Sequence, residues 1–566
     1  MSSHKDRIDT SGGTREILTR LHEIEAMLKN QSHQISEIRE PHIGAHAVPK
    51  ALPPGRISAL ARERPNATMP SPWSFSGLDI QPNLPELPPL TIPVKHKTSS
   101  SYLLSLPSVK SLIGEYPTDL FFMLESRAHL PPELSFERWP SVPEPSIEIE
   151  NDLATNLVSI FFASAHHNHP ILDPGRFQDI FSGFLENGPD SSIESTLCMV
   201  VLALGAVAGL PSDAHAFLHS PPGMEYMQHA MPTLLSQSAW SFSSSLVLPQ
   251  ALVLASVYFA YIVRPLQSWR LIYSATTIIQ FKLSGIDSQQ KEPWWRESLI
   301  RLFWSCFLIE CDRLAELELP RSGLQQLTDE ISLPECTNLG MMQSTCYLAE
   351  ISIRRLLNRV HNSLYPSKKH GLTLSSTTLT TPEEFSMDDI SSMSAVCDEL
   401  RSQLELWHSS IPDSIRPKLN IEASMQESDD RQAILRIRYF AARHIIYRPF
   451  VLFIVTHDFT CISHDIVEKA GICIESCRCY VHSTTRILKH PSQYTWTFSL
   501  SSLGAIVILT LASLNPALQH LVADIDALQS LALNNIRPWA FSSLEAVITI
   551  LEDVQKKQRL FTRMNR

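Results

Sequence analysis

Apolar residues recur at intervals of three and four along most of the chain beyond residue 100, the period of a helix with one face inside. The sharpest instance is the run Arg301-Leu302-Phe303-Trp304-Ser305-Cys306-Phe307-Leu308-Ile309-Glu310-Cys311-Asp312-Arg313. There Ile300, Phe303, Trp304, Phe307, Cys311, Leu314 and Ala315 predict an amphipathic helix with one broad buried face. Pro320 and Gly323 are expected to stop it, since proline lacks the amide and glycine tolerates the turn, and Ile331-Ser332-Leu333-Pro334 reads as an extended exit. A last long helix is predicted from Pro538, burying Leu544, Val547, Ile548, Leu551 and Val554. With only 18 glycines and no repeat of fixed period, the pattern predicts an all-α, multi-helix fold.

Two segments precede that body. In residues 1–40, Ile17, Leu21, Ile24, Leu28, Gln31, Ile35 and Ile38 alternate four and three apart, the seam of a short coiled coil. A lone amphipathic helix packing on its own domain is the other reading, because three heptads are marginal alone and Gln31 weakens the seam. Residues 41–100 contain twelve prolines, including Pro53-Pro54 and Pro88-Pro89, and read as a proline-rich linker. The helical body then covers 101–566, with exposed loops expected at Ser363–Met387 and Ile411–Asp430.

Charge and cysteine usage narrow the function classes. A net charge of −11 argues against the whole chain being a nucleic-acid-binding surface, and residues 1–40 carry six Lys/Arg against seven Asp/Glu, which leaves no basic arm. Ten cysteines without framework spacing suit a reducing compartment. The apolar runs Thr196–Leu210, Ala251–Val263 and Leu503–Leu514 each fall short of the roughly 20 residues a membrane span needs, so no membrane partner is expected.

No residue set reads as catalytic or metal-binding. His166, His167 and His169 have spacings poor for three ligands on one helix, and Cys473, Cys477 and Cys479 read as small buried thiols. Asp388-Asp389 and Asp429-Asp430 lack the third aspartate of a magnesium-holding motif and fall in loop-like sequence. The nucleophile-elbow, dinucleotide and phosphate-loop glycine motifs are absent from this sequence.

Several blocks, taken together, resemble the middle region of fungal zinc-cluster transcription regulators. The 301–313 run with Asp312-Arg313, the turn at Pro320-Arg321-Ser322-Gly323 and the Ile331–Pro334 tail are similar to that family's central signature. His166–Asp173 is similar to an H-x-x-x-P-I-L-D segment, and Gln250–Ala255 with Arg264-Pro265 and Trp269 to the tandem-helix segment before the signature. Arg321 follows Pro320, where the family more often has Gly-Arg-Pro. The resemblance implies a helical regulatory domain of a nuclear (or partly cytoplasmic) regulator of RNA polymerase II genes, secondary metabolism among them, and no enzyme. Its motif core would be Arg301, Leu302, Phe303, Trp304, Asp312, Arg313, Pro320 and Arg321, with Asp312 and Arg313 tying neighbouring helices by charge-assisted hydrogen bonds.

The family's six-cysteine zinc cluster has no counterpart here, the first cysteine being Cys198. DNA contact would then require a module outside this sequence, with zinc as its cofactor, or a partner reached as a homo- or heterodimer through Ile17, Leu21, Ile24, Leu28, Ile35 and Ile38. A small-molecule effector is implied as a further partner. A helical small-molecule-binding protein or an enzyme reusing this body stays open as the alternative.

Overall fold

The structure, a computed structural model, describes residues 96–131, 134, 147–210, 221–284, 292–365, 387–421, 429–457 and 462–564. Among these the chain is all-α: seventeen α-helices joined by short 3₁₀ turns, with no strand. The coiled-coil positions 17–38 and the linker up to residue 95 lie outside the described residues. Residues 96–100 already belong to the body: His96, Thr98, Ser99 and Ser100 are buried, and the first described helix begins at Ser100.

One contiguous apolar core runs from Leu103 to Val554. Helix starts follow local chemistry. Asp173 accepts from the Arg176 amide ahead of Pro174–Asn187, with Pro174 in the first turn, and Ser192 accepts from the Ser195 amide ahead of Ile193–Ala208. The Asn151–Ala163 and Ile193–Ala208 helices cross so closely that a Cβ on Gly205 would sit 2.1 Å from the Leu157 carbonyl oxygen.

The signature helix spans Pro293–Leu314, and it is not amphipathic as its periodicity predicts. Every residue from Arg301 to Leu314 is buried, because neighbouring helices surround this segment on all sides. It also ends earlier than Pro320. The chain leaves the helix after Leu314: Ala315 caps it, the Leu317 amide still reaches the Arg313 carbonyl at 3.0 Å, and the Leu319 amide then turns back to the Leu317 carbonyl at 2.9 Å, with both leucines held in the core. Gly323, at φ +88°, then opens a 3₁₀ turn at Leu324–Leu327.

Other boundaries move as well. The last helix is Ser543–Met564. Pro538 sits in a preceding 3₁₀ turn whose Trp539 is fully buried and donates through Nε1 to the Leu488 carbonyl at 2.8 Å, which holds the chain away from the helix path. Within the expected loop at 411–430, Ile411 and Ile415 are core residues. Both aspartate pairs lie at helix starts rather than in loops: Asp388 and Asp389 in the first turn of Met387–Ser410, and Asp429 as the cap of Asp430–Thr456. The run at Leu503–Leu514 belongs to a 20-residue helix, Thr495–Leu514, of mean hydropathy 1.9. By length and composition it could cross a membrane; 83% of its apolar window is buried inside the body, as in a core helix.

Candidate functional site

The signature helix presents two kinds of side chain to its surroundings. Leu302, Phe303 and Trp304 are fully enclosed, with Phe303, Trp304 and Phe307 in successive edge-to-face contacts. Trp304 also donates through Nε1 to the Ser332 carbonyl at 2.8 Å, so the indole pins the extended exit back onto its own helix. Pro320 is exposed at the turn, and Arg321 is half-buried beside Glu310. The Glu310 carboxylate accepts from the Ser322 amide at 2.7 Å and the Ser322 hydroxyl at 2.9 Å, which fastens that turn to the helix.

Buried charges link this helix to the rest. Arg301 donates through Nε to Glu297 at 2.7 Å and through Nη2 to Asn338, whose amide donates to Asp173 at 2.9 Å. His169 bonds to Gln493 Oε1 at 3.0 Å, and Gln493 offers its carbonyl to Arg313 at 3.3 Å. Gln250 donates to the Ile171 carbonyl at 2.9 Å. The three blocks that the sequence keeps apart, around 166–173, 250 and 301–313, are therefore one hydrogen-bonded assembly.

Asp312 is the centre of the ionic part. One carboxylate oxygen takes Arg354 Nη2, and the other takes Arg438 Nη2 at 2.7 Å; Arg438 also reaches Glu350 at 3.2 Å. Glu350 in turn accepts from the Tyr494 hydroxyl at 3.1 Å. Asp312 thus joins the helices Met341–Leu364 and Asp430–Thr456 through bonds between opposite charges. Arg313 meets only neutral partners: the Thr497 hydroxyl at 3.1 Å and the Gln493 carbonyl. Burial lowers the pKa of Arg354 to about 9 and of Arg313 to about 10, so both stay charged at neutral pH.

The histidine triplet is taken up by the fold. His166 is hydrogen-bonded to the Leu172 backbone and His169 to Gln493; burial pulls their pKa values down to about 3 and about 4. Cys473, Cys477 and Cys479 are buried, Cys473 donating to the His444 carbonyl at 3.4 Å. Among the described residues, no three His, Cys, Asp or Glu side chains cluster closely enough to hold a metal.

Glu310, Glu350, Arg354, Arg438 and Arg448 were not singled out by sequence. A signal was present: arginines 436, 438, 443 and 448 interrupt an aromatic, apolar run from Ile434 to Phe453 that contains no carboxylate. Such cations must find partners elsewhere in the fold.

Residues 158–409 match the family described as the fungal specific transcription factor domain. No curated protein matches the chain. The matched span holds Arg301, Asp312 and Arg313 with their partners Asn338 and Arg354, and Glu350, while Arg438, which bonds to both Asp312 and Glu350, and Gln493 and Thr497 are supplied from beyond it. The stretch that holds the signature helix and most of its partners is thus the part of the chain, residues 158–409, that matches the fungal specific transcription factor domain.

Proposed function

We propose that the chain regulates transcription of RNA polymerase II genes, those of a metabolic pathway among them, in the nucleus, with its helical body as the regulatory module. The observation that carries this reading is the match at residues 158–409, which includes the signature helix with Asp312 and its partner Arg354. A body whose signature helix is tied to its neighbours by directional bonds has discrete packings available to it. A ligand or partner that binds one packing better than another would shift between them. DNA contact comes from a module outside these residues or from a partner chain, and association runs through the seam at residues 17–38.

The full chain fused to a heterologous DNA-binding domain is the direct test. Reporter output is expected to differ from that of the DNA-binding domain alone, upward for an activator and downward for a repressor; equal output from a nuclear, stable fusion overturns the reading. The seam is tested separately by light scattering on Leu21→Asp/Leu28→Asp. Loss of association is expected, and an unchanged mass from an associated parent rules the seam out.

A further inference from the structure

Beneath residues 96–104 lies a cavity of about 50 Å³, walled by the end of the signature helix and by the helices Met341–Leu364, Asp430–Thr456, His464–Ile487 and Thr495–Leu514. Arg354, Arg438 and Arg448 line it, each at most 4% exposed. Asp312 and Glu350 are already shared among Arg354, Arg438 and the Tyr494 hydroxyl. Arg448 bonds only to neutral groups, donating Nη1 to the Thr98 carbonyl at 2.8 Å and Nη2 to His444 Nδ1 at 3.2 Å. The Nε atoms of all three arginines are buried without a hydrogen-bond partner.

Glu316 is the one carboxyl on the cavity wall. It accepts from the Ser100 amide at 2.9 Å and the Ser501 hydroxyl at 3.0 Å, and burial raises its pKa to about 7. The histidines on the wall, His361 and His444, are kept neutral by burial. Three buried guanidinium groups thus line a cavity where two carboxylates pair with arginines directly and Glu316 is bonded to Ser100 and Ser501 instead, and a buried cation without a paired anion is among the costliest features a fold can carry.

We propose that the cavity is a binding site for a small oxyanion, a carboxylate or phosphate group, which supplies the counter-charge that Arg448 lacks. The volume suits a group of a few heavy atoms, since one water needs roughly 10–15 Å³ of such space. Guanidinium groups match such oxyanions in planarity and donor spacing. The site also touches the chain's entry into the body. Arg448 holds the Thr98 carbonyl, and Thr98 Oγ1 bonds to His361 Nδ1 at 2.8 Å, so occupancy is coupled to the seating of residues 96–104. This inference rests on the geometry of the cavity and not on the regulatory reading.

The test uses the purified full chain at pH 7.5, with sodium phosphate and sodium acetate each titrated against sodium chloride at constant ionic strength. Thermal midpoint and amide exchange over residues 96–104 are followed together. A saturable rise in midpoint with slower exchange is expected for phosphate, acetate or both, and which of them acts identifies the group.

Arg448→Gln should weaken the apparent affinity by about tenfold or more, and Glu316→Gln, which removes the chain's own competing carboxylate, should strengthen it about threefold to tenfold. Should Arg448→Gln fail to fold, Glu316→Gln decides alone. A response equalled by chloride, or one that Glu316→Gln leaves unmoved, overturns the site. A reporter that still responds while no anion binds removes the site alone. Saturable binding with a silent reporter removes the regulatory reading alone.

Discussion

The segment Arg301–Leu314 of the signature helix and the helix Thr495–Leu514 both cross the interior with nearly every residue enclosed, yet they do so by opposite means. The first buries Arg301, Glu310, Asp312 and Arg313; the second has no charged residue and from Leu503 to Ala512 is almost purely apolar. Apolar burial is non-directional and is satisfied by any close-packed surroundings. Buried charge is satisfied only by particular partners at particular angles. The apolar helix thus anchors the body, and the charged helix fixes which arrangement of helices the body adopts.

The strongest way to break this contrast is Asp312→Ala. It leaves Arg354 and Arg438 without their shared carboxylate in a buried setting, where losing one partner of an ion pair costs about 3–5 kcal/mol. Urea unfolding should show the midpoint falling accordingly, and a loss below about 1 kcal/mol would mean that the pair is solvated or re-partnered. The matching change in the apolar helix is Leu509→Ala, at a fully enclosed position. Its cost is set by lost transfer energy and the cavity left, about 3 kcal/mol, and should appear in stability without altering exchange around Asp312.

Acid should separate the two regions further. His96, His166 and His169 have pKa values drawn down from 6.5 to about 4, about 3 and about 4, chiefly by burial. Above about pH 6.5 they are neutral in both states. As pH falls below that, the unfolded chain takes up protons that the folded chain refuses until about pH 4, so stability declines across this window. Glu316 works in the opposite sense. Its folded pKa of about 7, against 4.5 unfolded, makes it a source of stability that is lost as pH rises through that interval, and it offsets one histidine. For these four groups together the loss between pH 6.5 and 5.5 is on the order of 2 kcal/mol, and burial of His361 and His444 acts in the same sense as the other histidines. Urea midpoints measured across this range test it, and a flat profile would show that these imidazoles are not enclosed as described. Thr495–Leu514 contains no titratable group and should be the last region to exchange.

The same contrast explains what the sequence could reveal. Period and capping chemistry are local, so the all-α class and most helices of the body are legible from residues alone. The signature blocks were legible as a resemblance that the family match upholds. The all-round burial of Arg301–Leu314 was not, because period-three-and-four spacing tells which face is apolar and is silent on whether a polar face meets solvent or an arginine from another helix. Asp312 and Arg438 are 126 positions apart, and Arg448 and Thr98 are separated by 350. No local pattern encodes pairs at such separations. Where Pro538 misplaced a helix start, the deciding residue was Trp539, whose burial and bond to the Leu488 carbonyl are tertiary facts.

The smallest expected effect is the one that defines the contrast most closely. Ser502, buried in the apolar helix, donates to the Phe498 carbonyl four positions back at 2.7 Å, so its hydroxyl serves its own helix and no other. Ser→Ala there removes donor and desolvation cost together, while the carbonyl keeps its bond within the helix; the change should stay within about 0.5 kcal/mol. Ser501, one residue earlier, donates outward to Glu316 at 3.0 Å, and Ser501→Ala takes a partner from a buried carboxyl. Its cost should be about 1–2 kcal/mol, larger at pH 8, where Glu316 is ionised, than at pH 6. Equal costs for the two serines, or a pH-independent cost for Ser501, would show that the polar wall beside Arg448 is no more demanding than the helix interior next to it.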